Sequence, residues 1–112
     1  MRIDDRDVSF GNARPFMRGD RILVPLDTVA RAANFDYRYD AARRTISARN
    51  GALSMGLGSR IAVLNGERRA MPVASETQGV TLFVPVQFIG LATGGSVGWD
   101  SVSRTVLLNT YR

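Results

Sequence analysis

The sequence predicts an α+β fold: two β-β-α-β-β repeats that form antiparallel sheet packed on short helices, in a single compact body over residues 1–112. Three observations carry this expectation. Val24-Pro25 recurs as Val84-Pro85, Tyr39-Asp40 as Trp99-Asp100, and Arg44-Thr45-Ile46 as Arg104-Thr105-Val106, always 60 positions on. A fixed internal period is the mark of a duplicated structural unit. Each copy also holds one short segment with apolar residues three and four apart, set among segments that alternate polar and apolar. Finally, no linker is long enough to separate independent domains, and a helix of about eight residues is too short to stand alone in water. The first repeat covers about residues 8–57 and the second about 61–109.

The elements follow in order. Residues 1–20 are polar and irregular, with a short alternating piece, Asp7-Val8-Ser9-Phe10, that reads as a strand. Pro15 and Gly19 punctuate the link to Arg21-Ile22-Leu23-Val24, a second strand. Pro25 stops it, having no N–H to donate, and suits the first turn of a helix, where that N–H is not needed. Residues 26–33 then read as a helix with one apolar stripe of Leu26, Val29, Ala30 and Ala33. Asp27 favours its N-terminus, and Asn34 is a left-handed C-cap.

Residues 35–39 alternate aromatic and charged, as a half-buried strand does; residues 40–43 turn and residues 44–49 return. Asn50-Gly51 signals a two-residue hairpin leading into a strand over 52–57. The second unit opens with Ile61-Ala62-Val63-Leu64, an Asn65-Gly66 hairpin and residues 67–71. Residues 72–79 read as a loop, and Thr81-Leu82-Phe83-Val84 repeats the strand before proline. Val86, Phe88, Ile89 and Ala92 line a second helix ended by Gly94-Gly95. Residues 96–99 and 105–109 form the last hairpin.

Composition narrows the function. A chain of 112 residues, 45% hydrophobic, can bury one core. It has no run of 18 apolar residues, so no membrane span is expected, and no basic and apolar leader of the signal-peptide kind. Cysteine and histidine are absent and all 15 basic residues are arginine. Disulfides, thiolate zinc sites, a cysteine nucleophile, a histidine base, Schiff-base lysine chemistry and a P-loop lysine are thereby excluded. The serines and threonines have no histidine or lysine to activate them. No cofactor is expected: copper sites want ordered His, Cys or Met, and the four methionines are scattered at 1, 17, 55 and 71.

Three constellations invite a chemical reading. Asp40 and Asp100 could act as paired carboxylates. Each, however, follows an aromatic and opens a turn, where an aspartate hydrogen-bonds the N–H groups ahead of it. Arg44 and Arg104, four residues on, are placed to meet these aspartates across the hairpin. Asp4, Asp5 and Asp7 could gather a hard cation, but Arg2 and Arg6 interleave them in a stretch that reads as a frayed terminus. Gly56-Leu57-Gly58-Ser59 lacks the helix and lysine of a phosphate loop.

The formal net charge of +5 admits an anionic partner. The arginines are dispersed among ten acids, with doublets only at Arg43-Arg44 and Arg68-Arg69, which disfavours a dedicated nucleic-acid surface. Arg68 and Arg69 follow an Asn-Gly turn and project long side chains into solvent. Trp99 could stack on a sugar ring or a base, although Tyr39 at the equivalent position points to hairpin packing. These three residues, Arg68, Arg69 and Trp99, are the candidate ligand contacts; no catalytic or metal residue is proposed.

The ordered series Arg21-Ile-Leu-Val-Pro-Leu26, short helix, Phe35-Asp-Tyr-Arg-Tyr-Asp40, Arg44-Thr-Ile46 resembles the copper amine oxidase-like N-terminal, or stalk, domain family. The second unit carries the same text: Val63-Leu64-Asn65-Gly66, Leu82-Phe83-Val84-Pro85-Val86, Val97-Gly98-Trp99-Asp100 and Arg104-Thr105-Val106. It departs where the family often has arginine after Val-Pro-Leu; Asp27 and Gln87 stand there. The resemblance implies an α+β accessory module of a bacterial cell-envelope or secreted protein, extracellular or envelope-located, binding cell-wall polymer or an envelope protein. The alternative it leaves open is an appended domain of a peptidoglycan hydrolase or other envelope enzyme.

Overall fold

The two Val-Pro strands lie side by side at the centre of the molecule. The computed structural model describes residues 1–19, 21–100 and 102–110. Its first half runs β1 (Arg2–Ile3), β2 (Arg6–Asp7), β3 (Phe16–Arg18), β4 (Arg21–Pro25), α1 (Leu26–Ala33), β5 (Tyr37–Asp40), β6 (Thr45–Ala48) and β7 (Leu53–Gly56). Its second runs β8 (Ile61–Leu64), β9 (Glu67–Ala70), β10 (Glu76–Gln78), β11 (Thr81–Pro85), α2 (Val86–Thr93), β12 (Ser96–Asp100) and β13 (Thr105–Asn109). The strands form three sheets, ordered β12-β13-β1-β2, β10-β11-β4-β3 and β5-β6-β7-β8-β9.

In the middle sheet β4 and β11 are antiparallel, with Val24 opposite Val84, Pro25 opposite Phe83 and Leu23 opposite Pro85. The register is centred on residues 60 apart, so the backbone there has a local two-fold arrangement. Side chains alternate across a strand, and Val24 and Val84 face the main core with no exposed surface. Each strand ends at its proline, and each helix begins at the next residue. The expected helix bounds are thus met. Leu26, Val29 and Ala30 are buried on α1, and Val86, Phe88, Ile89 and Ala92 on α2.

Both helices stop at a left-handed residue. Asn34 has φ 60° and ψ 52°, and the N–H of Phe35 reaches back to the Ala30 carbonyl at 2.9 Å. Gly94 has φ 72°, and its N–H bonds the Gly90 carbonyl at 2.9 Å. These bonds satisfy carbonyls that a helix end would otherwise leave open. The helices, with Ile46, Leu53 and Met55 from one outer sheet and Ile3, Val106 and Leu108 from the other, enclose a single core.

The structure corrects several expectations. The β-β-α-β-β repeats do not keep their strands to themselves: the Val-Pro strands of the two halves share one sheet, and three sheets result among the described residues. The pairing of β1 with β13 is parallel, not antiparallel, with Arg2 opposite Leu107. The stretch read as a frayed terminus is therefore tied down. The Asp4 N–H bonds the Leu108 carbonyl at 2.9 Å, and its carboxylate accepts both the N–H of Thr110, at 2.7 Å, and the Thr110 hydroxyl.

The strand expected over 7–10 reduces to Arg6–Asp7, and strands appear instead at Phe16–Arg18 and Glu76–Gln78, in segments read as link and loop. Three-residue strands leave too short an alternation to register locally. Their edges are held by the bidentate contact of Arg18 with Glu76, at 2.8 Å and 2.9 Å, and by the ring of Phe16 edge-on to Phe83. The Asn50-Gly51 hairpin is not a two-residue turn. Ala48 faces Leu53, so four residues make the loop, and Arg49, Asn50 and Gly51 all take positive φ. Asn65-Gly66 does make the two-residue turn, with Leu64 opposite Glu67 and φ of 51° and 83°.

Candidate functional site

The β8–β9 hairpin decides where the paired arginines point. Successive residues of a strand face opposite sides, and directly opposed residues share a side. Arg69 lies opposite buried Ala62, so it belongs to the core-facing side and is held at the sheet edge by Glu67, with an N–O distance of 3.5 Å. Arg68 lies opposite Val63, on the outer side, and has no carboxylate partner among the described residues. Trp99 is elsewhere: it sits on β12, opposite Val106, with 46% of its surface exposed. The three sequence-derived contacts thus occupy two sheets, and the two arginines occupy opposite faces of one.

Following the register across the five-stranded sheet adds a residue that sequence reasoning missed. Arg38 on β5 is opposite Ser47, Ser47 opposite Ser54, Ser54 opposite Val63, and Val63 opposite Arg68. One continuous row on the outer face therefore begins and ends in arginine. The row spans four interstrand spacings, about 19 Å. At its β5 end a hollow of about 620 Å³ is lined by Asp36, Arg38, Ser47, Asn50 and Gly51, among others. The next row on this face carries Asp40, Thr45 and Gly56, all short. Tyr37 and Tyr39 fall on the opposite, core-facing side of the sheet with Ala48 and Ile46.

The carboxylates that could have been catalytic are structural. The Asp40 carboxylate accepts the N–H groups of Ala42 and Arg43 at 3.0 Å and 3.2 Å. The Asp100 carboxylate accepts those of Val102 and Ser103 at 3.0 Å and 3.4 Å. The threonine after each turn repeats its own contact, Thr45 to the Arg43 carbonyl and Thr105 to the Ser103 carbonyl, both 3.1 Å. The expected cross-hairpin partners do not meet them. Arg44 and Arg104 take positive φ, 52° and 53°, which turns them away, and Arg43 approaches Asp40 instead at 3.9 Å.

Hydrogen bonding holds two of these acids in the charged form. The backbone N–H of Ser103, foremost, lowers Asp100 from its ordinary 3.8, and the Thr110 hydroxyl, foremost, lowers Asp4. Burial, together with the hydrogen bond to Asp27, raises Tyr37 above its usual 10.0. A depressed carboxylate stabilises the fold above its unfolded value, and that contribution is lost as pH falls through the folded value. Thermal stability should therefore decline as pH falls below 3.8, the ordinary carboxylate value. In the Asp4→Asn/Asp100→Asn variant this acid limb should be shallower. An unchanged slope in melting scans from about pH 5 to about pH 2 would show that other groups govern it.

Among the described residues no group of three or more acidic side chains is placed to hold a metal ion, and no helix is long and apolar enough to cross a membrane. The family model for the copper amine oxidase N-terminal domain matches residues 2–108. No curated protein and no solved structure matches the chain.

Proposed function

This chain belongs to the copper amine oxidase N-terminal domain family, whose members are non-catalytic, stalk-like domains, and from that premise we propose that it is an accessory module of a bacterial cell-envelope or secreted protein. In this reading it works outside the cytoplasm and holds a cell-wall polymer or a neighbouring envelope protein, with no catalytic step of its own. The observation that carries the reading is how the charged groups are used. Asp4, Asp40, Asp100 and the Arg18–Glu76 pair bind the scaffold to itself. Arg68, on the fully exposed edge strand β9, is left to meet something else. A chain without His, Cys or Lys also lacks the imidazole, thiol and amine groups that most often act as base or nucleophile.

The internal period of 60 residues, with the register that sets Val24 opposite Val84, supports reading the two halves as duplicated units. The partner is anionic, since guanidinium forks onto phosphate and carboxylate. The test is retention on purified cell wall. Replacing Arg68 and Arg69 with Ser should cut retention and make the remainder less salt-sensitive, while the melting temperature barely moves, because exposed charges contribute little to stability. Retention at wild-type level would leave these arginines as mere protection of a sheet edge.

A further inference from the structure

We propose that the outer face of the five-stranded sheet is the polymer-binding surface, and that it takes a linear polyol phosphate laid along the row from Arg38 to Arg68. This rests on the reading of the chain as a binder of anionic envelope polymer and assigns that reading a face.

The row has the groups such a ligand needs. Arg38 and Arg68, at its two ends, have no carboxylate partner among the described residues, whereas Arg69 is engaged by Glu67 on the other side of the sheet. A guanidinium presents a planar fork of donors that matches phosphate. Between the two lie the hydroxyls of Ser47 and Ser54, which can donate to and accept from ligand hydroxyls. Both serines are half-buried, and the side chains beside them, at Thr45 and Gly56, are short. A chain can therefore lie close to the sheet and meet both arginines. At the β5 end the hollow beside Arg38 adds the Asn50 amide.

Two acids share this face. Asp40 is occupied by the Ala42 and Arg43 N–H groups and neighbours the Arg43 guanidinium. Asp36 lines the hollow with Arg38 and offers an acceptor to a ligand hydroxyl. The alternation that brings Arg38 to this face sets Tyr37 and Tyr39 on the other one, where Tyr39 stays 36% exposed. The row itself carries no aromatic residue, and the ring that lines the hollow at its β5 end, Tyr37, has its hydroxyl bonded to Asp27; the stacking platform that single-stranded nucleic acid binding draws on does not extend along the row. Polyol phosphate, rich in charge and hydroxyls and without rings, fits this surface.

The two arginines are too far apart for one phosphate, so the polymer gains from engaging both at once. The probes are poly(glycerol phosphate), glycerol phosphate itself and an oligothymidylate of about 20 nucleotides, each titrated against the intact chain over a salt series. Poly(glycerol phosphate) should bind well above the monomer. Arg38→Ser and Arg68→Ser should each weaken it several-fold, and the double variant about tenfold or more, with the salt dependence falling by roughly one charge per arginine removed. Arg69→Ser should change affinity less than twofold. Melting temperatures of the variants should match the parent, which separates lost contact from lost fold.

If the parent binds the polymer but Arg38→Ser binds equally well, this face is wrong while the wider reading stands. If Arg69→Ser proves the damaging change, the binding surface is the other side of β9. If the parent ignores the polymer this proposal falls, and the wider reading falls with it only if the parent is also not retained on purified cell wall. Equal affinity for the oligothymidylate, lost in the same variants, would make this a nucleic-acid surface and overturn the proposal.

Discussion

Phe88→Ala should cost about 3–5 kcal/mol of stability, the usual range for truncating a sealed aromatic side chain. Phe88 is fully buried and is the largest side chain with no exposed surface among the described residues. It projects from α2 into the one core that all three sheets share. Truncation removes the transfer free energy of a ring and leaves a void that the helices and sheets around it can close only in part. A domain of this size is typically stable by only about 5–15 kcal/mol, so the variant should melt at a much lower temperature or fail to fold. Phe88→Leu, which keeps most of the volume, should cost less than half as much. The check is a urea titration read by circular dichroism. A loss below about 1 kcal/mol for the alanine variant would mean that the ring is not a core element.

The second large effect is expected at Gly95→Ala. An added Cβ at Gly95 would run into the carbonyl oxygen of Asn109, and would lie 3.0 Å from its carbon and 3.1 Å from the Thr110 Cα. All of these are backbone atoms, so no rotamer change can make room. Strand β12 would have to move off β13 where Ser96 faces Asn109. The expected cost is on the order of 3 kcal/mol, the upper end for overpacking. Trp99, the sole tryptophan, lies on β12 four residues beyond Gly95 and supplies an internal reporter. Its emission should change even where the far-ultraviolet signal persists. Gly66→Ala makes the contrast. It forces a side chain onto φ 83° with nothing within 4 Å of the added Cβ, so it meets only conformational strain, about 1 kcal/mol. Equal effects at the two glycines would remove the steric explanation.

How far the fold could be read from the sequence depended on the range of the interactions that make it. The strands ending in Pro25 and Pro85, the helices after them and the caps at Asn34 and Gly94 were legible because each is fixed by neighbours within a few residues. The aspartate-led turns were legible for the same reason. The pairing of β1 with β13 was not, because two residues carry no periodic signal and their partner is a hundred positions away. The short β3 and β10 were hidden in the same way.

Of the two arginines in the proposed row, Arg68 was singled out in the sequence by its place after a turn. Its companion Arg38 was missed because their common face is a property of register across five strands. Counting alternate positions outward from the hairpin turns would have found it, but only with the loop over 49–52 known to be four residues long. Trp99 stood out by rarity, a signal that does not carry location.

The β1–β13 pairing also bears on how the chain reaches its fold. Arg2 and Leu107 meet across 105 steps of sequence, so β1, paired early with β2, has no β13 neighbour until those residues have been made. Synthesis at roughly 5–20 residues per second leaves it waiting for on the order of 5–20 s. The hairpins of the five-stranded sheet, built from nearest neighbours in sequence, can form well before then. Closing so long a loop adds entropy that grows only with the logarithm of its length. The penalty is thus paid chiefly in time, and the last sheet to assemble is the one that sets β1 beside β13.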